Sequence, residues 1–267
     1  MSPESDLFSD FCSTPSIPMH ALLKKIHRRL PKPPSSNFLY REIKPSPYDF
    51  LPSNPVIFDI GSKDARASYA FGDPPPGARV VCVDLFPGKG VDLVADAHDM
   101  HMVPDNSVDF VTSISVLEHV RDPQRVVREI YRILKPGGVI YVSVPFVYNF
   151  HGDPDDFYRF SFRGVAILCE AFERLDNGFN RGPASAMQQL LPRFLAILFS
   201  FNSDTLYSVN LYVFRWGLAW MKYLDRFIGN YKMAYLIHGS SYFIGRKPIA
   251  DTRTDLSSRP SAAQVAS

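Results

Sequence analysis

Five short apolar runs between Val56 and Pro145, each of strand length and each followed by a loop or a helical stretch, leave this chain few folds to choose from. Val56 to Ile60, Arg79 to Asp84, Asp92 to Ala95, Val108 to Ser113 and Val139 to Val144 read as strands. Asp64 to Phe71 reads as a short helix ended by Gly72. A second helix begins after Asp122, which can cap it, with Pro123 at its first position and Val126, Val127, Ile130, Ile133 and Leu134 along one face. Lys135-Pro-Gly-Gly138 reads as the turn into the fifth strand. Such alternation implies a parallel sheet with helices on both faces. Asp59, Asp84 and Asp96 fall where strands give way to loops, the edge at which open parallel sheets bind ligands. A carboxylate there accepts hydrogen bonds from hydroxyls or amines, and Gly61 lets the backbone approach a ligand closely. The pattern describes a nucleoside site. Asp109, in the turn Pro104-Asp-Asn-Ser-Val-Asp109, is assigned to structure.

Asp59-Ile-Gly61, Asp84, Asp96-Ala97, Asp109-Phe-Val, Leu117-Glu-His119-Val and Leu134-Lys-Pro-Gly-Gly138 occur in an order that resembles the class I S-adenosylmethionine-dependent methyltransferases. The resemblance implies a Rossmann-like, doubly wound α/β fold. Its sheet would have seven strands, mostly parallel, with a helical insertion before the last. S-adenosylmethionine is the implied cofactor. The loop after Asp59, with Gly61 and Ser62, would hold the methionine end. Asp84, followed by Leu85, would take the ribose hydroxyls, and Asp96 with Ala97 would meet the adenine edge. Ser113 completes the implied cofactor set. One departure stands out: the loop Gly61-Ser-Lys-Asp-Ala-Arg66 keeps only the first of the glycines usual there. A catalytically silent relative, kept as a binding or scaffolding module, is therefore the rival reading. A nicotinamide-dependent dehydrogenase would want GxGxxG for the pyrophosphate, and this chain has none.

Methyl transfer from a sulfonium is an in-line displacement, so the protein must align the acceptor and remove its proton. Candidates belong after the fourth and fifth strands. Glu118-His119 follows the fourth, as an active-site-lining pair or a metal-binding one; with Ser115 at the upstream position its ligand set is incomplete, and no metal is expected. The segment from His151 to Arg159 follows the fifth, with one His, three Asp, one Tyr and one Arg. His151 and His119 are candidate catalytic groups, His151 as general base. Tyr158, a further catalytic candidate, and Arg159 are placed to orient the acceptor. The competing reading is a surface loop whose Asp155 or Asp156 caps the next helix. His98 and His101 are read as lining or solvent-exposed.

With 267 residues, 46% of them hydrophobic, one domain with an insertion is expected. Residues 1–50 form an N-terminal extension, 51–182 the cofactor-binding core, 183–238 an apolar helical insertion, 239–248 the closing strand and 249–267 a disordered tail. Three scattered cysteines suit buried thiols in a reducing cytosol, and no signal peptide is read. Pro18 to Leu30 carries an apolar stripe beside Lys24, Lys25, Arg28 and Arg29, suited to an anionic membrane surface or to packing on the domain. The longest candidate span of the insertion, from Phe194 to Phe201, falls short of the ~20 residues a spanning helix needs. Leu211, Phe214, Trp216, Trp220 and Tyr223 could make an interfacial face, a core contact or a homodimer contact. The expected acceptor is a small molecule, a sugar or a lipid-linked compound. Nucleic acid is not expected, because the basic residues do not alternate with aromatics.

Overall fold

A computed structural model describes residues 31–35, 38–39, 43–62, 71–152 and 154–249. The basic stripe at 18–30, most of the helix expected over 64–71 and the tail from 250 lie outside the described residues. Seven strands form one sheet: β1 (Val56–Ile60), β2 (Arg79–Asp84), β3 (Leu93–Val94), β4 (Val108–Ile114), β5 (Leu134–Pro145), β6 (Glu173–Arg181) and β7 (Ser240–Arg246). Their spatial order is β3-β2-β1-β4-β5-β7-β6. Only β7 runs antiparallel, between β5 and β6, so the sheet is the mostly parallel, doubly wound kind expected. The chain reverses its winding at β1, where β2 lies on one side and β4 on the other. That switch opens a crevice at the strands' C-terminal ends.

Helix α1 (Pro123–Ile133) starts as the sequence implies: the Asp122 carboxylate accepts the Arg125 N–H at 2.9 Å. Val126, Val127, Ile130 and Ile133 are buried against Phe58, Ile60, Val111, Ile140 and Val142 on one face of the sheet. Each such side chain contributes roughly 1.5–3 kcal/mol through burial. Helix α2 (Phe162–Leu168) is capped by Ser161, not by Asp155 or Asp156. On the other face, Ile57, Phe110, Tyr141, Tyr242 and Ile244 form a second cluster with Ile43, Tyr48 and Phe71. Cys82 and Cys169 are buried free thiols, and burial pushes Cys169 up to about 12.

Two boundaries differ from expectation. Lys135-Pro-Gly-Gly138 is not a turn outside the sheet but the bulged start of β5, where the register slips between Val108↔Leu134 and Phe110↔Val139. Gly137 takes φ +82° there, which favours glycine. Asp109 ties the bulge down: its carboxylate accepts Lys135 Nζ at 2.8 Å and the Val56 N–H at 2.9 Å. Strand β6, expected near Phe172–Leu175, continues to Arg181. Asp176 and Asn177 are held by β7 and α2, with Tyr242 Oη donating to Asp176 at 2.6 Å and Asn177 Nδ2 donating to the Phe162 and Tyr242 carbonyls.

Between β6 and β7 lie α3 (Pro183–Leu198), α4 (Asp204–Gly217) and the short α5 (Asp225–Ile228). The Asp225 carboxylate, fully buried, accepts the Ala184 and Ser185 N–H groups and so caps α3 from forty residues away. No described helix is long and apolar enough to cross a membrane.

Candidate active site

A cavity of about 650 Å³ opens at the C-terminal edge of the sheet. Its volume lies within the ~300–1,000 Å³ usual for small-molecule sites. Ile60 and Gly61 line it after β1, Asp84, Leu85 and Phe86 after β2, and Ala95, Asp96, Ala97 and His98 after β3. Ser115, Val116, His119, Val120 and Arg121 follow β4, while Tyr148, His151, Asp155 and Phe157 come from the loop after β5. Arg181, the last residue of β6, also reaches it.

The structure brings most, but not all, of the implied cofactor residues together. Gly61 donates its N–H to the Val83 carbonyl at 2.8 Å and adopts φ +77°. A Cβ there would stand 2.3 Å from Val116 Cγ2, so only glycine leaves this floor open. Asp84 lines the wall, with one oxygen accepting the Phe86 N–H at 3.1 Å. Asp96 lines it as well. Its Oδ1 accepts the His98 N–H at 2.8 Å and pairs with His98 Nδ1 at 2.7 Å. Partial burial raises the Asp96 carboxyl, but those bonds and Arg125 bring it below its ordinary value. Asp59 does not converge with these two. It is 2% exposed and absent from the cavity wall. Strand alternation puts it on the Ile57 face, where its charge helps burial raise the Tyr48 hydroxyl. Ser62 and Ser113 are buried outside the lining, each with a hydroxyl that lacks a partner among the described residues. Ser115 reaches the cavity instead, in a left-handed conformation with φ +55°.

The loop after β5 folds back onto β4. The Glu118 carbonyl accepts the Phe157 N–H at 2.7 Å, and Tyr158 Oη donates to the Arg121 carbonyl at 2.9 Å. Arg159 clasps Asp156 through both terminal nitrogens, 2.6 Å for the Nη2–Oδ2 contact, and donates to the Asn149 carbonyl at 2.8 Å. Asp156 in turn accepts the His151 N–H at 2.7 Å. The Arg159 contacts hold the Asp156 carboxyl well below its usual range. Tyr158 and Arg159, read from the sequence as acceptor-orienting groups, are therefore engaged in shaping the loop and do not line the cavity. The same loop delivers His151.

His119 Nδ1 donates to the Asp155 carbonyl at 2.5 Å, and His151 Nδ1 faces the Asn149 carbonyl at 3.2 Å and Asp156 Oδ2 at 3.3 Å. A carbonyl only accepts, so both rings carry the proton on Nδ1 and present a lone pair at Nε2. Both Nε2 atoms converge on Glu118 Oε1, at 3.8 and 3.9 Å. Glu118 is completely buried, and neither of its oxygens has a hydrogen bond of normal geometry among the described residues. Burial pushes its carboxyl up to about 7, against the opposing pull of its own backbone, His119, Ser115 and Arg159. Burial lowers His151, keeping it neutral at physiological pH. Glu118-His119, expected to lack further ligands, thus gains His151 as a third donor within 4.8 Å. Arg181 and Tyr148 were missed by sequence reasoning: neither belongs to a local cluster, and only the closed sheet brings them to the cavity.

The family model described as a methyltransferase domain matches residues 58–142, the span from β1 to β5 that builds most of this wall. Residues 58–142 are a methyltransferase domain. Its cofactor is S-adenosylmethionine. Thiol S-methyltransferase TMT1A of Homo sapiens is 37% identical over 83 residues, 25% of this chain and 34% of that protein. Methyltransferase pytC of Aspergillus terreus is 28% identical over 149 residues, 52% of this chain and 44% of that protein. This chain thus spans only a third to a half of the length of these two relatives. Haemonchus contortus phosphoethanolamine N-methyltransferase 2, solved with S-adenosyl-L-methionine, is a distant likeness, with a TM-score of 0.44 and 18% identity over 75% of this chain and 50% of that chain. The residues of the methyltransferase domain fit the cofactor: a side-chain-free floor at Gly61, a carboxylate at Asp84 and a polar turn at Asp96–His98 stand along one side of the cavity.

Proposed function

We propose that this chain methylates a hydroxyl or thiol of a small, largely apolar acceptor. Bound S-adenosylmethionine supplies an activated methyl on its sulfonium. Gly61, Asp84 and Asp96 bind that cofactor on one side of the cavity. On the other, Tyr148, Pro154 and Phe157 shape an acceptor subsite of aromatic and apolar character. Arg181, at the end of β6 and disfavoured in its charged form by burial, steadies negative charge that develops on the acceptor. The acceptor loses its proton beside the Glu118, His119 and His151 cluster. One observation carries this reading: two imidazoles that line the same cavity as the cofactor wall each have Nδ1 held by a backbone carbonyl, which leaves an Nε2 lone pair on each. The test is methyl transfer from labelled S-adenosylmethionine to a panel of thiols, phenols, sugars and amines. His151→Ala should abolish turnover and leave cofactor affinity intact. Methylation of amines alone, or full activity in His151→Ala, refutes it; cofactor binding without any turnover would favour the silent relative.

A second proposal concerns the insertion. Phe194, Ile197, Phe201, Trp216, Trp220, Phe227, Tyr231 and Met233 are exposed, together with Arg226 and Lys232. We infer that these exposed apolar side chains, with the nearby cations Arg226 and Lys232 of the same insertion, rest on an anionic membrane surface, which would make the protein peripheral to a membrane on its cytoplasmic side. Co-sedimentation with phosphatidylserine vesicles, lost in a Phe201→Ser/Trp220→Ser/Phe227→Ser variant, tests this. Unchanged sedimentation, or a shift from dimer to monomer in the variant, overturns it.

A further inference from the structure

Three electron-pair donors meet at one buried point beside the cavity. Glu118 brings a carboxylate with 0% exposure, and His119 and His151 bring Nε2 lone pairs at 3.8 and 3.9 Å from its Oε1. Donors facing one another repel unless something positive lies between them. Arg159 is not that charge, because both its terminal nitrogens are taken by Asp156. Nor does any described side chain hydrogen-bond to the Glu118 oxygens in normal geometry. A carboxylate that is buried and without such a bond is strongly disfavoured unless it is protonated or bound to a cation.

The surroundings match what a metal ligand set needs. In metal sites the histidine nitrogen that does not bind is commonly fixed by a carbonyl or a carboxylate. Here Asp155 O holds His119 Nδ1, and Asn149 O with Asp156 Oδ2 holds His151 Nδ1. Adjacent ligands around tetrahedral zinc, at bonds of about 2.0–2.2 Å, stand roughly 3.4 Å apart. Each imidazole Nε2, at 3.8 and 3.9 Å, therefore needs to close on Glu118 Oε1 by only about half an ångström, and no two of the three donors lie more than 4.8 Å apart. The Asp156–Arg159 clasp and the bond from the His151 N–H to Asp156 fix the position of His151.

We propose that Glu118, His119 and His151 form a divalent metal site of zinc type, with its open position facing the acceptor side of the cavity. This rests on the methyltransferase reading and deepens it: the acceptor's heteroatom takes the fourth position. On coordination its proton passes to solvent water, and the resulting thiolate or alkoxide keeps the electron pair that will form the new bond to carbon. Two imidazoles and one carboxylate leave a zinc site with one net positive charge, and Arg181 lies on the same cavity wall. Both favour an anionic fourth ligand.

The test uses the full chain, stripped with a chelator and titrated with zinc chloride by calorimetry and with cobalt(II) by visible absorption. One metal per chain is expected, with cobalt bands of a four- or five-coordinate site. Glu118→Gln and His151→Gln should each weaken zinc at least 100-fold, while His101→Gln, at an exposed histidine, should change nothing. S-adenosylmethionine binding to the metal-free protein serves both as a fold check on the variants and as the separate test of the methyltransferase reading. If the stripped protein binds the cofactor yet takes no zinc below millimolar concentration, or if both glutamine variants bind zinc like the parent, the metal site is overturned and the methyltransferase reading stands.

Discussion

Replacing Asp156 by alanine removes the carboxylate on which the whole loop after β5 is hung. Its side chain is 0% exposed and it takes both terminal nitrogens of Arg159, which keeps 26% of its own side chain in solvent. Removing one partner of a fully buried pair costs about 3–5 kcal/mol, because the other charge is left uncompensated. Partial exposure of Arg159 moves the expectation to about 2–4 kcal/mol for Asp156→Ala. Arg159→Met should cost a similar amount, since it leaves the carboxylate stranded beside His151. The double variant should then be less damaged than the sum of the two, by at least ~1 kcal/mol of coupling. The pH dependence has a definite sign. Arg159 holds the folded-state carboxyl below its unfolded value, so the stabilisation is complete above about pH 4 and is lost as pH falls below that. Urea melts of parent, Asp156→Asn and the double variant at pH 7 and pH 3 supply the measurement, with the parent's advantage shrinking in acid. Additive single effects, or a gap between parent and Asp156→Asn that persists unchanged at pH 3, would refute the clasp as the organiser of His151.

Gly61→Ala forces a Cβ to within 2.3 Å of Val116 in a left-handed backbone, so cofactor affinity by calorimetry should fall at least ~10-fold; Val116→Ala added to it should restore part of the loss, and no restoration would mean that backbone strain alone is responsible. Asp84→Ala removes a charge-assisted hydrogen-bond acceptor worth about 1.5–3 kcal/mol, so affinity should drop roughly 10- to 150-fold with no change in melting temperature beyond a few degrees; unchanged affinity would take Asp84 out of the cofactor site. Asp225→Ala strips two buried N–H groups at the start of α3 of their acceptor, for about 2–4 kcal/mol, and amide exchange should accelerate first at Ala184 and Ser185; uniform exchange across α3 would contradict this capping role.

The strands of the core were legible because each is an apolar run whose two faces are both covered, and α1 because its cap, its proline and its apolar stripe agree. Where reading failed, a partner elsewhere in the chain decided the outcome. Asp-Asn-Gly at 176–178 has the composition of a turn, yet β7 supplies a ladder and Tyr242 a hydroxyl, so the segment stays in β6 and carries Arg181 to the cavity. Lys135 to Gly138 looks like a turn too, but Asp109 fixes Lys135 and turns it into a bulge. The carboxylates at strand ends show the limit of position alone. Asp84 and Asp96 lie beyond or at the end of their strands and face the crevice, whereas Asp59 still sits inside β1, where alternation commits its side chain to the face opposite Phe58 and Ile60. One residue of register separates a ligand-facing acid from a buried one.

The histidines carry that lesson to the chemistry. His119 and His151 stand thirty-two positions apart, and nothing in their spacing marks them as a pair; their rings meet at 4.9 Å because Glu118 binds the returning loop through its carbonyl while Asp156 and Arg159 close the other side. Tyr158 and Arg159, the residues that looked most like acceptor contacts, are the ones that make this approach possible. The polar density of that loop thus marked a built corner of the cavity, but most of its groups act on the backbone, and in the proposed reading an acceptor would meet the residues that line the cavity, His119, His151 and Arg181.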